Sequence, residues 1–166
     1  MELIFCGDAG FKLQHDANEE KSRSILSDIL PVLKSADFRI LNLECPIAPV
    51  ELDAPIRKAG PNITGRPENI GFLRAGRFDL AVMANNHAMD FGVDAMRYTE
   101  NLLDENQIAH IGCGENIYEA YSGHRFEKDG VSASVISVCE HEFGLAGENL
   151  PGTAAYDEYL LAESIK

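Results

Sequence analysis

The stretch that decides the fold is FDLAVMANNHAMDFGVDAMRYTENLLDENQIAHIG, residues 78–112. Its first part, Phe78 to Ala84, is an apolar run of strand length that stops at three polar residues, Asn85-Asn86-His87. Phe91, Ala95, Met96, Thr99, Leu102 and Leu103 then recur at helical spacing and predict an amphipathic helix over Phe91–Asn106. A second apolar run, Ile108 to Ile111, ends at Gly112-Cys113-Gly114. Strand, helix and strand, joined by segments too long for hairpins, make a parallel βαβ unit.

Toward the N-terminus the same order repeats. Leu3 to Cys6 is a short strand that stops at a Gly7-Asp8 turn, and Phe38 to Leu43 is a strand that ends in Glu44-Cys45-Pro46. Between them Asp16 and Glu19 have the spacing of a capping box, ahead of Ile25, Leu26, Ile29, Leu30 and Leu33 at helical spacing. Pro31 inside that run is expected to kink or shorten the helix. Pro46, Pro49, Pro55, Pro61 and Pro67 mark a long loop, and a short helix is expected over Glu68–Ala75. Toward the C-terminus, Asp129-Gly130 between Ser122–Lys128 and Val131–Val138 is a hairpin signal, and Tyr156 to Lys166 is expected to be helical. The fold class is therefore α/β: parallel βαβ units plus a β-hairpin.

Bulk composition narrows the function. The chain has 166 residues, 45% apolar and 25% charged, a length and balance that suit one soluble domain and exclude a low-complexity or fibrous protein. No apolar stretch is long enough to span a membrane, and the N-terminus lacks the basic and apolar regions of a secretory signal. Fourteen Lys and Arg against 27 Asp and Glu give a net charge of −13, which disfavours nucleic acid and anionic lipid and favours local cation binding. Cys6, Cys45, Cys113 and Cys139 form no CxxC pair, so free thiols and a cytoplasmic location are expected. Neither a nucleophile elbow nor a phosphate loop is present.

Three strands end in polar residues: Gly7-Asp8, Asn42-Leu43-Glu44 and Asn85-Asn86-His87. Ligands of open α/β sheets bind at the carboxyl ends of strands, so one edge would gather two carboxylates, an amide and an imidazole. Such a set suits Mn²⁺, Mg²⁺, Fe or Zn²⁺, and without a cation the two carboxylates would repel. Each residue also has a plainer reading. Gly-Asp is a common turn, Glu44 could be a solvated loop acid, and Asn85-Asn86 could cap the Phe91–Asn106 helix. His141, within Cys139-Glu140-His141-Glu142, is a further ligand or substrate contact, or simply a surface histidine. Lys58, in Lys58-Ala59-Gly60-Pro61-Asn62, would touch an anionic substrate, and Asn85 is a second candidate contact.

Gly7-Asp8, Asn42-Leu43-Glu44 and Ala84-Asn85-Asn86-His87-Ala88-Met89-Asp90-Phe91-Gly92, with Gly112-Cys113-Gly114 and Glu119-Ala120, resemble the CapA-type proteins of poly-γ-glutamate (capsule) biosynthesis. Those proteins belong to the calcineurin-like metallophosphatase superfamily. The resemblance implies the N-terminal half of a four-layer αββα sandwich, with Asp8, Glu44 and Asn86 as ligands of a divalent metal and His87 as the catalytic imidazole. The first aspartate's usual histidine partner is replaced by Gly10, and the family's later histidine ligands have no counterpart. Residues 1–166 are thus expected to form one domain that is the N-terminal part of a longer one, with little or no phosphoesterase activity alone. Its substrate would be an anionic small molecule or polyanion. The sheet face left bare would be covered by a second copy or by a C-terminal partner. The alternative is a non-catalytic binding or assembly module of a capsule-synthesis complex.

Overall fold

The computed structural model describes residues 1–11, 18–52 and 54–165. Four strands, β1 (Leu3–Ala9), β2 (Phe38–Leu43), β3 (Leu80–Val82) and β4 (Ala109–Ile111), form one sheet in the order β1-β2-β3-β4, every pair parallel. Helices α1 (Glu19–Ile25) and α2 (Leu30–Ser35) connect β1 to β2. The proline-rich loop and α3 (Ile70–Gly76) lead to β3, and α4 (Gly92–Glu105) leads to β4. Crossovers of one hand that always advance the same way put their helices on one face of a sheet. Strand alternation agrees. Leu41, Leu43, Ala81 and Met83 pack with Leu33, Leu73, Met96 and Leu103 from α2, α3 and α4.

The opposite face carries Ile40, Leu80 and Ile111, which cluster with Phe126. Phe126 comes from the hairpin β6 (His124–Lys128) and β7 (Val131–Val135), and its ring lies 4.4 Å from that of Phe38. The turn between these strands has φ of 52° at Asp129 and 75° at Gly130, the positive-φ pair that Asp-Gly favours. The chain's own hairpin thus covers part of the face expected to be bare. Phe5 on β1 remains 64% exposed. A further pair, β5 (Cys113–Gly114) and β8 (Gly152–Thr153), is antiparallel, with α5 (Ile117–Ala120) beside it and α6 (Glu158–Ser164) at the end.

Several expectations need correction. β1 does not stop at Gly7-Asp8. It runs to Ala9, because its pairing with β2 shifts register between Phe5 and Asp8 and then resumes. The apolar run around Pro31 is shortened into two helices rather than kinked, and Pro31 occupies the first turn of α2, where no backbone N–H is needed. Asp16 lies outside the described residues, and Asn18 caps α1 by accepting from the Lys21 N–H at 3.0 Å. β3 is shorter than Phe78–Ala84, and β5, α5 and β8 were too short to give a periodic signal. All four cysteines are free thiols, as expected.

Candidate functional site

Alternation along β2 sends Leu41 and Leu43 into the helix-side core and leaves Asn42, and Glu44 just beyond it, on the other side. Parallel register sets Asp8 of β1 opposite Asn42. The Asn42 amide then donates to Asp8 Oδ1 at 2.9 Å and to Glu44 Oε2 at 2.6 Å, so one nitrogen holds both carboxylates. Their separation is at most the two bonds laid end to end. Burial raises the Glu44 carboxyl above its usual range and the Asp8 charge adds to this, against His87 and the Asn42 bond. Paired carboxylates under such strain are relieved by a cation. Asn42 itself was not singled out as a ligand or contact from the sequence, although its spacing two residues before Glu44 on a strand places both on one face.

The third strand end supplies two adjacent amides with different employment. Asn85 is 8% exposed; its Nδ2 donates to Asn42 Oδ1 (3.0 Å) and to the Leu43 carbonyl (2.9 Å), and its Oδ1 accepts from the His87 N–H (3.0 Å). It is an internal bracket between strand ends. Asn86 lines the cleft, and its side chain makes no hydrogen bond among the described residues. Neither caps α4, whose N-cap is Phe91 with no side-chain bond.

His87 is held from behind. Its Nδ1 lies 2.7 Å from Asp90 Oδ2, a carboxylate whose side chain is wholly buried and which also accepts the Ile63 N–H at 2.8 Å. Donation from Nδ1 to this carboxylate would leave Nε2 as the ring atom free to exchange a proton. Asp90 Oδ1 pairs with the ammonium of Lys58, whose side chain is 1% exposed. Lys58 was expected to meet substrate; here its charge is enclosed in the protein. Asp90 escaped the sequence reading as a site residue, because its partner Lys58 lies on a different loop.

The cleft shared by Asp8, Asn42, Glu44, Asn85 and Asn86 has a volume of about 390 Å³, and His87 lies beside it rather than among its walls. Asp8, Glu44, Asn86, Glu140, Glu142 and Tyr156 are among its walls, and no Lys or Arg among the described residues is. His141 turns away, its Nε2 lying 2.7 Å from the Tyr156 carbonyl. No three His, Cys, Asp or Glu side chains come together as a metal-holding group among the described residues, and the donors drawn together at the strand ends are the Asp8 and Glu44 carboxylates plus amides. Oxygen donors of that kind fit a hard cation such as Mg²⁺ or Mn²⁺ better than Zn²⁺.

Comparison with known proteins agrees with the motifs. The family model described as bacterial capsule synthesis protein PGA_cap matches residues 2–163. The chain is 23% identical over 176 residues to the capsule biosynthesis protein CapA of Bacillus anthracis, covering 99% of this chain and 41% of that protein. It is 24% identical over 164 residues to the PGA biosynthesis protein CapA of Bacillus subtilis, covering 95% and 42%. An uncharacterized protein, y4sH, of Sinorhizobium fredii is 34% identical over 104 residues, 61% of this chain and 23% of its own length. The chain therefore spans less than half the length of each of these relatives.

Proposed function

Because the chain belongs to the bacterial capsule synthesis protein PGA_cap family, we propose that its strand-end cleft holds a divalent cation and acts on a phosphate-like anionic group in capsule or poly-γ-glutamate synthesis. The observation that carries this reading is the pair Asp8 and Glu44 on one Asn42 amide, at the cleft formed by the strand ends. Asp8, Glu44 and Asn86 would hold the cation. A bound divalent ion supplies charge neutralisation and polarises phosphoryl oxygens or water. Asn42 and Asn85 keep the carboxylates and the 84–87 turn in register. His87 keeps Nε2 for proton exchange with a leaving oxygen, while Asp90 fixes the ring. An anion meets no Lys or Arg among the described residues of this cleft, so its binding is expected to depend on the metal.

The second reading is a non-catalytic binding or assembly module of a capsule-synthesis complex. Titration calorimetry with Mn²⁺ separates the two. Binding in the wild-type chain that is lost in Asp8→Ala and in Glu44→Gln supports the cation site. Absence of heat in the wild-type chain refutes it and leaves the binding module.

A further inference from the structure

We propose that Lys58 is a positioning residue: its buried ammonium locks the 86–90 turn and thereby fixes the ring of His87. The inference rests on the site reading above but concerns a residue that reading leaves without a task. Three groups of the 86–90 turn meet at this one nitrogen. Nζ donates to the Asn86 carbonyl at 2.9 Å, pairs with Asp90 Oδ1 and lies 3.2 Å from His87 Nδ1. The ring of Phe143 sits over it at 5.3 Å, closing the last side.

The surrounding loop is built around the same turn. The Asp90 carbonyl accepts the Ile56 N–H at 2.8 Å and the Asn62 amide at 3.0 Å, and the Asp90 carboxylate accepts the Ile63 N–H. The proline-rich loop from 56 to 63 is thus wrapped on Asp90, with Lys58 as its inward-pointing charge. Stability alone does not account for a lysine and an aspartate at 1% and 0% exposure. Buried ion pairs are commonly replaceable by well-packed apolar residues at no net loss. What an apolar residue cannot do is bind the Asn86 carbonyl and the Asp90 carboxylate together. Asn86 brings its amide to the cleft, and His87 is near enough to influence the Glu44 carboxyl. Locking both ends of the turn keeps these two side chains in place, and holding Asp90 charged and oriented keeps the His87 proton on Nδ1.

The experiment reads the imidazole tautomer by two-bond ¹H–¹⁵N correlation on the full chain, at a pH well above the ordinary histidine value, with His87 assigned through His87→Gln. The wild type is expected to give one pattern, proton on Nδ1. Lys58→Met is expected to give a mixture of tautomers. Since that variant leaves Asp90 without its counter-charge, the comparison is repeated with Lys58→Arg, which keeps a cation opposite the Asp90 carboxylate. A single pattern kept in Lys58→Arg and lost in Lys58→Met, both folded by circular dichroism, supports the proposal. A wild-type pattern in folded Lys58→Met, or a mixture in folded Lys58→Arg, overturns it. Mn²⁺ titration of the same proteins separates this from the cation reading. A drop of roughly tenfold in affinity on losing Lys58 supports both. A wild type that binds no Mn²⁺ refutes the cation site, and the tautomer comparison then decides the role of Lys58 by itself.

Discussion

Replacing Asn85 and Asn86 one at a time by alanine tests how the strand-end site is built. The two residues are neighbours of identical chemistry, yet the structure employs them oppositely. Asn85→Ala removes three hydrogen bonds and strands the Leu43 carbonyl, the His87 N–H and the Asn42 amide oxygen. Each buried polar group left unpaired costs about 1–3 kcal/mol. Water from the adjoining cleft can reach some of them, so the total should be about 3 kcal/mol. In a chain of this size each kcal/mol lowers Tm by roughly 2–4 °C, which predicts a fall of roughly 6–12 °C. Asn86→Ala removes an amide with no internal partner and should change stability by no more than about 0.5 kcal/mol. Thermal melts followed by circular dichroism at matched pH and salt give the comparison, and Mn²⁺ titration of both variants completes it. Asn86→Ala should weaken cation binding while it melts like the wild type. An Asn86→Ala variant that loses as much Tm as Asn85→Ala would refute the division of labour.

Phe126→Ala should cost about 3–5 kcal/mol and abolish amide-exchange protection in β6 and β7 first, because this ring (3% exposed) joins the hairpin to the sheet. Glu100, on α4, has its carboxyl pushed up to about 7 by burial, then by Glu115, Asp104 and Glu119, from an ordinary 4.5. The folded chain holds that proton more tightly than the unfolded one, so this contribution to stability is full below about pH 4.5 and is lost as pH rises through 7. Glu100→Gln should therefore be more stable than wild type at pH 8, by on the order of 1–2 kcal/mol, and equal to it near pH 4.5, as urea midpoints would show. Gly112→Ala should cost at least about 2 kcal/mol, since φ is +95° and a Cβ would sit 2.5 Å from the Ala84 nitrogen; Gly130→Ala, at φ +75° with open space, should cost less. Denaturant titration of the two glycine variants ranks them.

The elements legible in the sequence are those whose signal is local. β2 was read to its observed ends because six residues of alternating apolar character lie between a polar turn and Glu44-Cys45-Pro46. The hairpin was legible from Asp129-Gly130, and α4 from its apolar stripe. Asp8 was expected in a turn and proved to be in a strand, because whether Gly7-Asp8 continues a strand depends on a partner for its backbone, not on its propensity. The two-residue strands Cys113–Gly114 and Gly152–Thr153 exist only through each other.

The same division runs through the site. That polar residues at three strand ends would meet at one edge follows from the sequence, since parallel strands share a direction and all their carboxyl ends lie together. Which of those residues face the cleft and which serve as internal brackets was decided by tertiary structure alone. Asn85 and Asn86 cannot be told apart until Asn42 and the Leu43 carbonyl are in place to claim the first. Lys58 was read from the sequence as a substrate contact and Asp90 only as part of the 84–92 motif; only the wrapping of the 56–63 loop around the 84–90 turn brings them together, out of water, behind His87. A charge's role depends on what surrounds it, and that surrounding is assembled from segments distant along the chain.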